Sequence, residues 1–84
     1  MFEMLRMKDV TKKTGYPKGS IYQKIGEGLF TRPVPMGART AAWPKYEVEA
    51  ILQARIAGAK DDAIRKLVKE LMNKRQTIKT GGEL

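Results

Sequence analysis

Apolar positions along the chain recur at helical spacing in four segments and alternate in one, with glycine and proline marking the breaks. Leu5 and Met7 flank Arg6 in a short alternating stretch. Lys8 to Thr14 then predicts a short helix anchored by Val10 and stopped at Gly15, a residue type suited to the position after a helix end. Tyr16-Pro17-Lys18-Gly19 reads as a tight connection, and Ser20 to Ile25 as a second short helix ending near Gly26 or Gly28. Two short helices joined by such a turn make the helix-turn-helix pattern.

Between Leu29 and Trp43 the texture changes. Arg32-Pro33-Val34-Pro35-Met36 and Thr40-Ala41-Ala42-Trp43 bracket Gly37-Ala38-Arg39, which predicts a β-hairpin, or wing. Pro33 and Pro35 lack N–H donors, so this strand must lie at an edge; a plain loop is the alternative. Pro44 suits the first turn of a third helix through Tyr46, Val48, Ile51, Leu52 and Ile56 to Gly58. Asp61-Asp62 suits the start of a fourth, whose stripe is Ile64, Leu67, Val68, Leu71 and Met72, with Lys74 and Arg75 near its end. The expected fold class is mainly α with a small β-hairpin. A winged helix-turn-helix over 1–58 is followed by an amphipathic helix over 59–76 and a flexible tail over 77–84. The last stripe needs cover, either by folding back on the third helix, by a second copy or by a protein partner.

Composition narrows the chemistry. The 84 residues include no Cys and no His, which removes disulfides, thiolate or imidazole metal sites and the commonest acid–base residue. No cofactor or metal is expected, nor catalysis. The N-terminus lacks an apolar secretory core and no segment is apolar enough to span a bilayer, so a cytoplasmic protein is expected. The acidic pairs Asp61/Asp62 and Glu47/Glu49 read as helix-end electrostatics and surface charge. Seventeen Lys and Arg against nine Asp and Glu give a net charge of +8, which favours a polyanionic partner. Residues 1–40 hold eight basic and three acidic side chains, so the binding face is expected mainly in the first half.

On the second helix, Ile21 and Ile25 lie one turn apart and face the core, placing Gly19, Gln23 and Gly26 near the opposite side. Ser20, Tyr22 and Lys24 flank that face, although the Tyr22 ring can equally pack beside Ile25. Gln23 is the candidate base reader, since an amide pairs with adenine. Gly19 lets the helix start approach a phosphate closely. Lys18, Lys12, Lys13 and Arg32 suit backbone neutralisation, and Arg39, at the hairpin tip, suits a minor groove or a phosphate. Trp43 suits the core better than base stacking. The alternative to all of this is an ordinary solvated face.

The ordered run Leu5-Arg6-Met7-Lys8-Asp9-Val10, Thr14-Gly15, Ser20-Ile21-Tyr22, Gly28-Leu29-Phe30, Arg32-Pro33-Val34, Gly37-Ala38-Arg39, Trp43 and Glu47-Val48 resembles the AlpA family of phage and prophage regulators, over about residues 4–56. The resemblance implies a winged helix-turn-helix related to MerR-type and excisionase domains that binds DNA near integrase genes or attachment sites. It implies Lys18, Ser20, Gln23 and Lys24 on the recognition helix and Arg39 on the wing. Pro17-Lys18 and Gly19 depart from the family's usual residues there, which bears on the base contacts rather than on docking. The expected function is a phage or mobile-element regulator that controls integrase expression, acts as an excisionase, or both. Its expected partners are double-stranded DNA, integrase and a second copy on DNA. The competing classes are an RNA- or ribosome-associated basic protein and a protein-interaction adaptor.

Overall fold

Local backbone chemistry sets most element boundaries. In the computed structural model, which describes residues 2–80, the order is β1 Met4–Arg6, α1 Met7–Thr14, α2 Lys18–Gly26, β2 Val34–Gly37, β3 Thr40–Pro44, α3 Lys45–Ile56 and α4 Asp61–Thr80. The Arg6 N–H donates to Asp9 Oδ2 at 3.2 Å, closing the start of α1 beside a first-turn carboxylate. Helices α2 and α3 end alike: Leu29 N–H reaches back to Lys24 O at 2.8 Å across Gly28, and Ala59 N–H to Ala54 O at 3.0 Å across Gly58. Both glycines have positive φ, 77° and 90°, where a Cβ would be strained.

The hairpin forms, and a strand joins it that the hydrophobic pattern alone did not predict. The antiparallel sheet has the order β1-β3-β2. Leu5 stands opposite Trp43 and Arg6 opposite Ala42. Strand β2, with Pro35 in it, is one edge, and Met36 is the extra residue where the register slips between Pro35 and Gly37. Trp43 is buried. Its indole N–H donates to Thr31 O at 2.8 Å and its ring meets Phe30 edge-on, with centroids 6.1 Å apart. This pins the connection from α2 to the wing, where Leu29, Phe30 and Thr31 are all buried.

The fold is a winged helix-turn-helix plus a C-terminal helix, closed by one core. Ile64, Val68 and Leu71 of α4 pack into the same cluster as Val10, Ile21, Phe30, Trp43, Val48 and Ile51. The chain itself thus covers the last stripe, by fold-back. Helix α4 also continues through residues 77–80, so the tail expected from 77 is helical there; residues 81–84 lie outside the described residues. Ile56, expected in the core, is 86% exposed. At roughly 100° per residue it sits well round the helix from Val48 and Ile51, in the final turn.

Glu47 and Arg75 also differ from expectation. Glu47 is fully buried rather than a surface charge, and Arg75, well inside α4, is its partner. Arg75 Nε donates to Glu47 Oε2 at 2.7 Å and Nη2 to Oε1 at 2.6 Å, a bidentate pair. Nη2 also donates to Arg32 O at 2.7 Å, so one guanidinium ties α4 to α3 and to the base of the wing. Beside them the Tyr46 hydroxyl is buried without a hydrogen-bond partner. Its pKa is raised above the ordinary 10.0, first by burial and then by the Glu47 carboxylate, with Arg75 acting in the opposite sense.

Breaking a buried pair strands a charge, so Arg75→Met is expected to destabilise the protein by about 3 kcal/mol. For a domain of this size that lowers Tm by roughly 12–24 °C, measurable by circular dichroism. The double variant Glu47→Met/Arg75→Met should recover much of the loss, because no unpaired charge then remains. The Tyr46 shift has a defined sign: a raised folded pKa favours the neutral hydroxyl in the fold. That stabilisation is complete below the unfolded value near 10 and is lost as pH rises through the higher folded value. Denaturant unfolding across this alkaline range should show Tyr46→Phe losing less stability with pH than the parent.

Candidate nucleic-acid interface

Helix α2 starts bare. Pro17 supplies no side-chain cap, and its carbonyl accepts the N–H of Ile21 at 3.1 Å, so the N–H groups ahead of Ile21 in the first turn have no intrahelical acceptor. Gly19 and Gln23 are exposed on the outer face, while Ile21 is buried. A Cβ built on Gly19 meets nothing within 4 Å, so packing does not demand glycine there. Tyr22 is 52% exposed, its ring directed outward rather than into the core.

Between this helix and the wing lies an open groove of about 280 Å³, floored by Ala41 and Trp43 and flanked by Arg6, Lys8, Lys18, Tyr22 and Arg39. Helix α2, strand β1, the start of α1 and the hairpin converge on it. Lys18 and Tyr22 lie four residues apart on one side of α2. Arg6 comes from β1, placed at the wing by its register with Ala42. Arg39 occupies the hairpin tip with φ 59°, a left-handed conformation uncommon for a residue with a Cβ. The charge distribution gives the groove its sign. Ion pairs among the described residues join Glu3, Glu47, Glu49, Asp61 and Asp62 to Lys13, Lys45, Arg55, Arg65 and Arg75. Arg6, Lys8, Lys18 and Arg39 take part in none of them. Four cations around a groove whose lining holds no carboxylate leave it with a positive field.

The family model for the prophage CP4-57 regulatory protein (AlpA) matches residues 3–56, which contain β1, both short helices, the wing and α3. The chain belongs to the AlpA family. It is also 38% identical over 56 residues to the uncharacterized protein ORF88 of Enterobacteria phage P4, an alignment that covers 67% of this chain and 64% of that relative's length. No solved structure matches the chain significantly. Helix α4 falls after the residues that the AlpA model matches.

In this AlpA-family chain, the residues singled out from sequence separate into groups. Lys18, Tyr22 and Arg39 meet at the groove, with Gly19 and Ser20 in the adjoining first turn. Gln23 lies on the outer face, its amide donating to Glu27 Oε2 at a long 3.4 Å. Lys24 turns away, its ammonium 4.8 Å from the centre of the Tyr16 ring. Lys13 is paired with Glu49. Arg32 does not reach the groove and lies beside Lys69 and Asn73 of α4. Sequence reasoning missed Arg6 and Lys8, because their place depends on β1 pairing with β3. The alternation Leu5-Arg6-Met7 was the available signal. It also missed Arg65, whose Nε donates to Glu27 O at 2.9 Å and holds the end of α2 against α4.

The backbone at Arg39 gives a direct test of the wing geometry. Arg39→Gly removes the cation and relieves the left-handed strain, whereas Arg39→Ala removes the cation alone. The glycine variant is expected to be the more stable of the two by about 1 kcal/mol in denaturant unfolding. Equal stabilities would mean that the tip does not hold this conformation in solution.

Proposed function

We propose that this protein binds double-stranded DNA through α2 and the wing and regulates a phage or other mobile element. It does so by controlling integrase expression, by acting as an excisionase at an attachment site, or both. The observation that carries the reading is the groove between α2 and the wing, where the side chains of Arg6, Lys8, Lys18 and Arg39 enter no ion pair among the described residues. Its membership of a family of prophage regulators supports the same reading.

In this mechanism α2 enters the major groove. The first-turn N–H groups and Ser20 meet a phosphate, and bare Gly19 allows the close approach. Gln23 reads a base edge, its long bond to Glu27 being exposed and cheap to exchange. Lys18, with Arg6 and Lys8, neutralises backbone phosphates, and Arg39 reaches the neighbouring phosphate or minor groove from the wing tip. Tyr22 lies against the sugar–phosphate backbone, and Lys24 adds longer-range attraction. Integrase and a second copy are the protein partners of this reading, which needs no cofactor and no catalysis. An RNA-binding role is disfavoured because Tyr22 is the one exposed aromatic at the groove, too few for a stacking platform.

Binding is tested on a duplex selected from a randomised pool and on an unrelated duplex. Gln23→Ala should cost about 1–3 kcal/mol on the selected site and little on the unrelated one. Lys18→Gln and Arg39→Gly should weaken both. Gly19→Ala should raise stability by about 0.5–1 kcal/mol, as expected for a helical glycine with open space around it, and still weaken binding. Wild-type levels of binding in all four variants would remove α2 and the wing from the interface.

A further inference from the structure

Arg32 and the outer face of α4 form a second group of cations that the groove does not use. Arg32, Lys69 and Asn73 share one crevice with Ile25 and Gly28, at the C-terminal end of α2. Lys66 and Lys69 share the adjoining one, again with Gly28, and its one carboxylate, Asp62, is paired with Arg65. Lys66, Lys69 and Asn73 recur at three- and four-residue spacing, so they line one face of α4. Arg32, Lys66 and Lys69 are exposed and enter no ion pair among the described residues.

Two contacts fix this strip relative to α2. Arg65 donates to Glu27 O at 2.9 Å, and its side chain passes 3.6 Å from where a Cβ on Gly28 would stand. Arg75 holds Arg32 O at 2.7 Å, so the backbone carrying the Arg32 side chain is also anchored to α4. The groove cations gather at the N-terminal end of α2 and the strip at its C-terminal end. Nine helical residues separate the two ends by about 13 Å. The major groove is about 12 Å wide, so a helix seated across it, rather than along it, brings its two ends towards phosphates of opposite strands.

We infer that Arg32, Lys66 and Lys69 form a second phosphate-contacting strip, through which α4 grips the DNA strand opposite the one met by Lys18 and the wing. The inference rests on the DNA-binding reading above and assigns α4 a binding role in addition to its place in the core. The apolar floor of the crevice, Ile25, Val68 and Met72, lies beneath the side-chain stems, leaving the charged heads for phosphate oxygens.

The test is the salt dependence of binding to a mixed-sequence duplex of about 20 base pairs, followed by fluorescence anisotropy, since each neutralised phosphate contributes about 0.9 to the slope of log K against log salt. The triple variant Arg32→Gln/Lys66→Gln/Lys69→Gln should keep the parent's melting curve, lose about 2–3 from that slope and bind roughly tenfold or more weakly at moderate salt. Lys60→Gln, an exposed lysine outside both cation groups, is the control for general charge loss and should change the slope little. A triple-variant slope equal to the parent's, or a loss per charge no larger than that of Lys60→Gln, overturns the strip. If Lys18→Gln/Arg39→Gly abolishes binding while the triple variant is unchanged, only this inference fails. If the parent itself does not bind duplex, the underlying reading fails as well. A triple variant that binds duplex normally but loses affinity for poly-glutamate would reassign the strip to an acidic protein partner.

Discussion

The pair between Glu47 and Arg75 joins the three parts whose relative placement the interface requires. Glu47 is on α3, Arg75 on α4, and the carbonyl that shares the guanidinium belongs to Arg32, just before β2. A fully buried carboxylate is tolerable only because the arginine meets it with two short bonds, and the arginine's remaining reach is used on backbone. Apolar packing between helices permits sliding along ridges, whereas a bidentate pair has one geometry. It therefore sets where α4 lies, and with it the base of the wing and, through Arg65, the end of α2.

Charge is divided between two tasks in the same small molecule. Carboxylates at Glu3, Glu49, Asp61 and Asp62 sit with lysines and arginines on the exposed flanks of β1, α3 and α4, in contacts that contribute little stability individually. Their effect is on the field: Lys13, Lys45, Arg55, Arg65 and Arg75 are paired locally, whereas the cations around the groove and those of the Arg32–Lys66–Lys69 strip enter no ion pair among the described residues. A net charge of +8 is thereby concentrated beside α2 and along the outer face of α4.

Much of the fold was legible in the chain because local chemistry decides it. Gly15 and Gly28 end helices, Pro33 and Pro35 demand an edge strand, and Ile64, Val68 and Leu71 repeat at helical spacing. What escaped depended on partners distant in sequence. β1 is only three residues long and is a strand because Trp43 and its neighbours pair with it. Glu47, near the start of a helix, looks like a solvated charge until Arg75 is brought beside it from 28 residues away. Ile56 illustrates the reverse, an apolar residue that lies well round α3 from Val48 and Ile51 and so stays outside the core. At the candidate site the same division holds: Lys18, Tyr22 and Arg39 followed from helix and hairpin geometry, whereas Arg6 and Lys8 required the sheet, and Arg32 proved to accompany α4.

The central claim, that α2 and the wing form one DNA-binding surface, is tested most directly by titrating ¹⁵N-labelled protein with a DNA duplex and following the backbone amide resonances. The account predicts the largest shifts at Lys18, Gly19 and Ser20 and at the Ala38–Arg39 tip, appearing together at the same DNA concentrations. The contact of α3 with the core, at Val48 and Ile51, should remain unperturbed. Shifts absent from both α2 and the wing, or an equal response at the same residues to an RNA hairpin at matched salt, would contradict it.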